Sequence, residues 1–237
     1  MTKTKFILLV LLVVTFTSCS STKNLKFSQK ADDIVTTTSL KEFLDSNKKP
    51  KVVLRINEGS VTSNVTEDQN NDYLYNAIEN QLLASGFIVR DRQLFNQIIG
   101  NKENNIDYQK LKEKSDTDLI LELTKLNPQV TYETNKYYDK NDRERIENFY
   151  TYKRYGAAVE FKVVLIKSNE FAGVYKFNYT PCSQGKGCSI SKSTSQLRKE
   201  RSKQERYKTE AYEGVERDEL EIFIKDATQK LVNEMMK

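Results

Sequence analysis

Apolar residues recur along the chain with two different periods, which predict helices that alternate with strands. The apolar run KVVLRIN at residues 51–57 is bounded by turn residues and predicts a strand. Residues 72–86 instead repeat apolar side chains at helical spacing and predict a helix that ends at Gly86, in the left-handed conformation common at helix ends. The apolar face of that helix consists of Leu74, Ala77, Ile78 and Leu82. FIVRD at residues 87–91 then has the composition of a short strand.

The alternation continues on both sides of this segment. SLKEFLDS at residues 39–46 has the spacing of a capping box and predicts a short helix. RQLFNQIIG at 92–100 predicts a further helix, whose apolar face consists of Leu94, Phe95, Ile98 and Ile99. DYQKLKEK at 107–114 predicts another helix, and the apolar core of SDTDLILELTKL at 115–126 predicts a buried strand. This order of elements predicts an α/β fold, with a mixed β-sheet flanked by helices in two or three layers.

The second half of the chain predicts an extended β-hairpin and a C-terminal helix. The hairpin spans residues 129–166, with the charged turn DKNDRER at 139–145. A further strand follows in FAGVYKFNYT at 171–180, and residues 183–219 read as a polar loop. The apolar face of the C-terminal helix consists of Leu220, Phe223, Ile224, Ala227, Leu231 and Met235.

The amino-terminal sequence predicts a location outside the cytoplasm. An unbroken apolar run at residues 6–14 follows two lysines and leads to FTSC, which ends at Cys19. This pattern is typical of a bacterial lipoprotein signal peptide over residues 1–18, after which Cys19 would carry palmitate and other acyl chains. The alternative is an ordinary secretory signal with a chance cysteine. We expect residues 19–38 to form a flexible tether, and residues 39–237 to form a single α/β domain.

The net charge limits the classes of partner that the chain can bind, and the cysteine content favours a disulfide. Loss of residues 1–18, which hold Lys3 and Lys5, lowers the formal net charge from +5 to +3. That mixed surface argues against nucleic acid as a partner. Beyond Cys19 the cysteines are Cys182 and Cys188, which favour a disulfide across a short loop, although two unpaired thiols are the alternative.

The absence of histidine removes much catalytic chemistry. With no histidine in the chain, a Ser-His-Asp triad, a Cys-His pair and a His-ligated metal are excluded. Nucleotide-binding glycine motifs are absent as well, and the paired acids lie in mixed-charge stretches. We therefore expect a protein that is not an enzyme, with no metal and no cofactor.

The order of motifs resembles the CsgG-like superfamily of bacterial envelope lipoproteins. The residues that carry this resemblance over roughly 51–179 are Gly86, Phe87, Val89, Arg92, Leu94 and the run Asp118-Leu119-Ile120-Leu121. The group includes curli-secretion lipoproteins and lipoproteins that activate cell-wall synthases. The resemblance implies an anticodon-binding-domain-like fold and a lipid anchor in the outer membrane of a Gram-negative bacterium, on its periplasmic face.

The strand-to-helix join after Gly86 carries the charged pair Asp91-Arg92. Asp91 is suited to cap the helix that follows, at its positive end. Arg92 could reach back to a carboxylate or to strand-end carbonyl groups and fix the angle between strand and helix. A structural clamp is the favoured interpretation of Arg92, and a binding residue is the alternative.

Two classes of function remain. The first is a periplasmic interaction protein for envelope assembly or regulation, with a protein partner or further copies of itself. Its contact surface would use tyrosine-rich stretches, although the same aromatics could simply pair within the hairpin. These residues are Tyr137, Tyr138, Phe149, Tyr150, Tyr152 and Tyr155. The second class is an outer-membrane secretion pore subunit of the curli-export type, which needs a second membrane hairpin from residues 189–219, where apolar alternation is missing.

Overall fold

The computed structural model describes most of the chain in two compact units. The described residues are 22–56, 59–61, 71–99, 114–182, 188–191, 195–199, 202 and 214–237. The large unit draws on Ser28–Tyr132, Lys153–Pro181 and Ala211–Lys237, and the small unit on Met1–Phe27, Glu133–Tyr152 and Cys182–Glu210. The single domain expected over residues 39–237 is thus divided between two units that alternate along the chain.

The elements follow the predicted order closely. The strands are β1 (Lys23–Leu25), β2 (Asp33–Thr36), β3 (Lys51–Ile56), β4 (Ile88–Val89), β5 (Leu119–Thr134), β6 (Lys136–Tyr138), β7 (Glu144–Ile146), β8 (Tyr152–Leu165), β9 (Glu170–Tyr179) and β10 (Ser189–Ile190). The helices are α1 (Thr38–Ser46), α2 (Asp72–Ala84), α3 (Arg92–Ile99) and α4 (Arg217–Met235).

The large unit is built on a six-stranded sheet in the order β2-β9-β8-β5-β3-β4. Strand β3 pairs in parallel with β4 and β5. Strand β9 pairs antiparallel with β2 and β8. The predicted fold class is confirmed: this is a mixed sheet with flanking helices and a C-terminal helix.

Helical periodicity identifies the buried faces correctly. Every residue of the predicted apolar faces of α2 and α4 is buried. With Leu40 and Leu44 of α1, they share one core cluster with side chains from β3, β5, β8 and β9. A second cluster joins Phe95 of α3 to Val53, Ile120, Val164 and Ile166. Because β-strand side chains alternate between faces, the two clusters correspond to opposite faces of the sheet.

Three local expectations need correction. Thr37, and not Ser39, caps α1, since its side chain accepts a hydrogen bond from the backbone N–H of Leu40. Leu94, expected on the apolar face of α3, is 60 % exposed, while Phe95 is buried. Strand β4 is only two residues long. The helix expected at 107–114 lies outside the described residues except at its last position, and so does much of the predicted loop 183–219.

The small unit contains a four-stranded sheet in the order β10-β1-β6-β7. Its neighbouring strands pair antiparallel. The expected tether at 19–38 therefore contains β1, and it also contains β2 of the large unit. The predicted hairpin is divided too: its outer part forms β6 and β7, which pair with each other around a turn at Asp139–Arg143.

Gly156 permits a close approach of two strands in the large unit. A Cβ atom added there would collide with the backbone carbonyl oxygen of Tyr179 and with the ring of Tyr132. Only a residue without a side chain fits, because a backbone carbonyl cannot move aside as a flexible side chain can.

Within the described residues, no helix has the length and apolar character needed to cross a membrane.

Replacing Phe161 with alanine should destabilise the protein by about 3–5 kcal/mol, because it empties a fully packed position in the main core. Phe171→Ala is the matched control: it removes the same side chain from the same sheet, but Phe171 is 64 % exposed. That control should cost no more than about 0.5 kcal/mol. Urea unfolding followed by circular dichroism measures both, and equal losses would contradict the assigned core.

Candidate functional site

A lysine on the central strand β1 organises the aromatic residues of the small unit. The Nζ atom of Lys23 donates hydrogen bonds to Glu147 Oε2 at 2.8 Å and to Tyr152 Oη at 3.2 Å. It also lies 4.6 Å from the centre of the Tyr137 ring, within the range of a cation–π contact. We call these four residues the Lys23 cluster. Three side chains that are distant from Lys23 along the chain thus meet at its ammonium group.

The surroundings of Lys23 favour the charged form of its ammonium group. Burial by itself lowers the pKa of Lys23, but the hydrogen bonds to Glu147 and Tyr152 outweigh burial and leave that pKa raised. The Lys23 and Glu147 side chains are 15 % and 16 % exposed. A charged pair this poorly hydrated is costly to break by removing one partner, because the other charge stays behind unpaired. The Lys23 ammonium group therefore stays charged and has a structural role in the cluster.

A second lysine supports the neighbouring strand. Lys26 Nζ donates a hydrogen bond to Tyr138 Oη at 2.7 Å and lies 5.2 Å from the centre of its ring. On the other side of the cluster, the rings of Tyr150 and Tyr152 meet edge to face with centroids 5.1 Å apart. These contacts hold three of the predicted contact tyrosines in defined orientations.

The structure separates the six predicted contact aromatics into different environments. Phe149 is 78 % exposed, and Tyr137, Tyr138 and Tyr150 are half-buried. Tyr152 is only 3 % exposed, because Lys23 and Tyr150 cover it, so it is removed from the predicted contact set.

Tyr155 leaves the contact set as well. It belongs to the large unit, where it packs half-buried against the main core cluster. Lys153, which follows Tyr152 on β8, is exposed, as the alternation of side chains along a strand predicts.

Among the described residues of the small unit, the large exposed apolar side chains lie on strand β7 and in the segment after it. Every residue of β7 is exposed, and β7 is an edge strand of its sheet. Ile146 is 59 % exposed and Phe149 is 78 % exposed. We call Ile146, Phe149 and Tyr150 the edge patch. Arg198 donates a hydrogen bond to the backbone carbonyl oxygen of Phe149 and holds one side of it.

The strand-to-helix join in the large unit has the geometry of a structural element. Asp91 Oδ1 accepts a hydrogen bond from the backbone N–H of Leu94 at 2.9 Å, which is the arrangement of a helix cap. The carboxylate that Arg92 reaches is Glu79 of the preceding helix, at 3.6 Å, and its guanidinium also lies 5.1 Å from the Tyr75 ring centre. Gly86 has a φ of +90°, which suits glycine. Arg92 thus links α3 to α2.

The three cysteines have different positions. Cys182 and Cys188 are joined by a disulfide, with Cα atoms 5.5 Å apart. Leu25 of β1 donates its backbone N–H to the carbonyl oxygen of Cys188 at 3.1 Å, so the bridge lies next to the central strand of the small sheet. Cys19 lies outside the described residues, and its lipidation stays a prediction.

Comparisons with solved structures give remote likenesses. No protein-family model matches the chain, and no curated protein matches it. The PelC dodecamer from Paraburkholderia phytofirmans shares 7% identity over 87% of this chain and 96% of its own, with a TM-score of 0.38. A substituted form of the same PelC gives 8% identity over 88% and 100%, with a TM-score of 0.37.

A third solved structure, a neuraminyllactose-binding hemagglutinin homolog from Helicobacter pylori, shares 13% identity over 79% of this chain and 86% of its own, with a TM-score of 0.32. Likenesses this distant carry no argument about function. The CsgG-like resemblance therefore stays a prediction.

Sequence reasoning missed the lysines that organise the site. Lys23 and Lys26 lie in the segment expected to be a tether, and nothing local distinguishes them from tether residues. Their partners Glu147 and Tyr138 are 124 and 112 positions away along the chain. The tyrosine-rich composition of residues 137–155 was the signal that could be detected, and it located the aromatic half of the site.

Replacing Arg92 with glutamine should destabilise the protein more at neutral pH than in acid. Burial raises the pKa of Glu79 above its usual 4.5, and the Arg92 guanidinium opposes that rise. Without Arg92 that pKa rises further, so stability is lost as the pH climbs above about 4.5. We expect a loss of about 1 kcal/mol at pH 7, limited by solvent screening, that fades towards pH 4.

Urea midpoints at the two pH values measure this effect. Glu79→Gln is the matched control, since it keeps the shape of the side chain and removes the titrating group. In that background the Arg92→Gln penalty should no longer depend on pH. A penalty of equal size at both pH values in the native background would contradict the ion pair.

Proposed function

We propose that this chain is a lipid-anchored periplasmic interaction protein without catalytic activity, which acts in assembly or regulation within the cell envelope at the outer membrane. Its partner would be an envelope protein or another copy of itself. The observation that carries this proposal is the edge patch: two large apolar side chains, Ile146 and Phe149, exposed beside an edge strand.

The backbone of strand β7 is suited to contact with another chain, because β7 lies at the edge of its sheet. An edge strand presents unpaired N–H and C=O groups, which can pair with a strand from another chain. Exposed aromatic and aliphatic groups beside it can supply the buried anchor that such a contact needs. Arg143 and Arg145, on the same β-hairpin, are suited to a polar rim.

Rigidity supports the same proposal. The Lys23 cluster fixes Tyr152, and Tyr152 packs against Tyr150 of the edge patch. A surface whose anchors are already ordered loses less conformational entropy when it binds. This role in ordering the edge patch would explain why the small sheet keeps the charged Lys23 side chain in a poorly hydrated place.

The proposed anchor places this unit close to a membrane. Cys19 precedes Lys23 by four residues, and an extended chain of that length spans about 14 Å. If Cys19 carries lipid, Lys23 at the start of β1 would lie within that distance of the headgroups. Such a tether would raise the effective concentration of the edge patch towards partners on the same membrane.

The secretion-pore alternative receives less support from the described residues. Within residues 189–219, Ser189–Ile190 form β10 of the four-stranded sheet, residues 195–199 are helical, and Arg217 begins α4. Those described parts do not form the second membrane hairpin that a pore subunit would need. The described elements within residues 189–219 therefore favour an interaction protein over a pore subunit.

A photo-crosslinking phenylalanine analogue at position 149 tests the proposal in intact cells. We expect a discrete adduct, whose mass separates an envelope partner from a second copy of this chain. The same analogue at position 171 is the matched control, because Phe171 is 64 % exposed but belongs to the large unit.

A polar substitution, Ile146→Ser, should abolish the adduct at position 149 and leave the thermal unfolding midpoint unchanged, since Ile146 is an exposed side chain. The absence of an adduct at position 149, or equal adducts at 149 and 171, would overturn the assignment of the edge patch.

A further inference from the structure

The large unit carries a polar depression on the face of its sheet opposite the main core. Strand β5 places four polar side chains on that face by strict alternation, while Leu126, Pro128 and Tyr132 on the other side are buried. These four are Lys125, Asn127, Gln129 and Thr131. Polar residues at every second position of a long strand are suited to contact with something other than a hydrophobic core.

The depression has a volume of about 410 Å³ and spans strands β5, β8 and β9. Ala158 of β8 lies between the two flanking strands, and its small side chain leaves room above it. Lys176 and Asn178 border it from β9, and Lys30 approaches from the segment before β2. A volume of this size falls in the range of small-molecule sites.

The charge of the depression is unbalanced. Three lysines line it, against one carboxylate, that of Glu160. Lys176 and Glu160 are directly opposite each other on paired strands. The Glu160 carboxylate nevertheless accepts a hydrogen bond from Thr124 Oγ1 at 3.1 Å, on the other neighbouring strand. Among the described residues, no carboxylate lies within ion-pair distance of Lys125 or Lys176.

The remaining polar groups are hydrogen-bonding groups without charge. Asn127 Oδ1 accepts from the backbone N–H of Gln129 at 2.9 Å, which leaves the Asn127 amino group available. In the described part of the chain, the Gln129 carboxamide and the Thr131 hydroxyl have no hydrogen-bond partner. Lys30 Nζ is held 4.8 Å from the Tyr132 ring centre, at the rim. Carboxamides and hydroxyls can both donate to and accept from the hydroxyl groups of a ligand.

We propose that this depression is a binding site for a small hydroxylated anion, that is, a compound with one carboxylate or phosphate group beside several hydroxyl groups. The lysines would hold the anionic group, and Asn127, Gln129 and Thr131 would bind the hydroxyls. Lysine binds carboxylate and phosphate alike as a point charge, so this chemistry covers both acidic sugars and sugar phosphates. The site belongs to the large unit and does not depend on the edge patch or on its partner.

Isothermal titration calorimetry on the full-length protein in mild detergent tests the site. The probes are glucuronate and glucose 6-phosphate, with glucose as the neutral control. We expect saturable binding of at least one anionic probe, at least about tenfold tighter than glucose and weakened by added salt. The two anionic arms distinguish a carboxylate ligand from a phosphate ligand.

Three variants connect the binding to the depression. Lys125→Gln with Lys176→Gln should weaken the anion at least about tenfold, through loss of two charges. Lys41→Gln with Lys167→Gln is the matched control: it removes the same charge from exposed lysines of the same unit and should leave affinity within about twofold. Glu160→Gln should tighten anion binding severalfold, because it removes the one opposing carboxylate but keeps an acceptor for Thr124.

The binding results distinguish a site in the depression from non-specific binding of anions to lysines. Binding that falls in the depression variant alone and rises in Glu160→Gln supports the site. No saturable binding of either anion, or equal weakening in the two double variants, would overturn it. Circular dichroism and the thermal midpoint are recorded for each variant. If the depression variant fails to fold, the sign of the Glu160→Gln effect decides: unchanged or weaker anion binding overturns the proposal.

Discussion

The parallel pairing of β3 with β5 is the constraint on which the large unit depends. The register places Arg55 opposite Glu122, and Arg55 Nη1 donates to Glu122 Oε1 at 2.6 Å. Glu122 is only 5 % exposed, so a shift of one residue would leave a buried carboxylate opposite Leu54 or Ile56. The same shift would turn Val52 and Leu54 away from the helices. One buried ion pair and the alternation of strand side chains therefore select the same register, and the flanking helices pack on the sheet that results.

The periodicity of apolar residues predicted the elements of the large unit well, because each pattern lies within one continuous stretch of sequence. The faces of α2 and α4 repeat over many residues, and the buried runs of β3 and β5 are continuous. Short strands have no such signal: β2 has four residues and pairs with β9, with Asp33 opposite Lys176, 143 positions away by their numbers. A strand formed by distant pairing looks like a tether in the sequence. The exposure of Leu94 has a related cause, since only tertiary packing decides which of two adjacent apolar residues in α3 faces the sheet.

The candidate sites were harder to predict than the fold, and for a physical reason. Composition identified the tyrosines, but which of them is exposed depends on Lys23, a residue with no local signal. The small net charge of the sequence likewise conceals the local excess of lysine in the depression, on the face of the large sheet opposite the main core. Formal charge adds up over the whole chain, whereas a ligand responds to charges within about 10 Å. Each unit thus carries its own chemical character: an aromatic edge in the small unit, and a cationic depression in the large one.

We propose a small protein held at a membrane by lipid on Cys19, with its contact surface in the first sheet after that residue. The most direct test is the mass of the native particle extracted from membranes in mild detergent, beside Cys19→Ala. We expect a small particle for the native protein, and a Cys19→Ala form that is equally folded but found in the soluble fraction. A large, detergent-stable ring that is lost in Cys19→Ala would contradict it and favour the secretion pore.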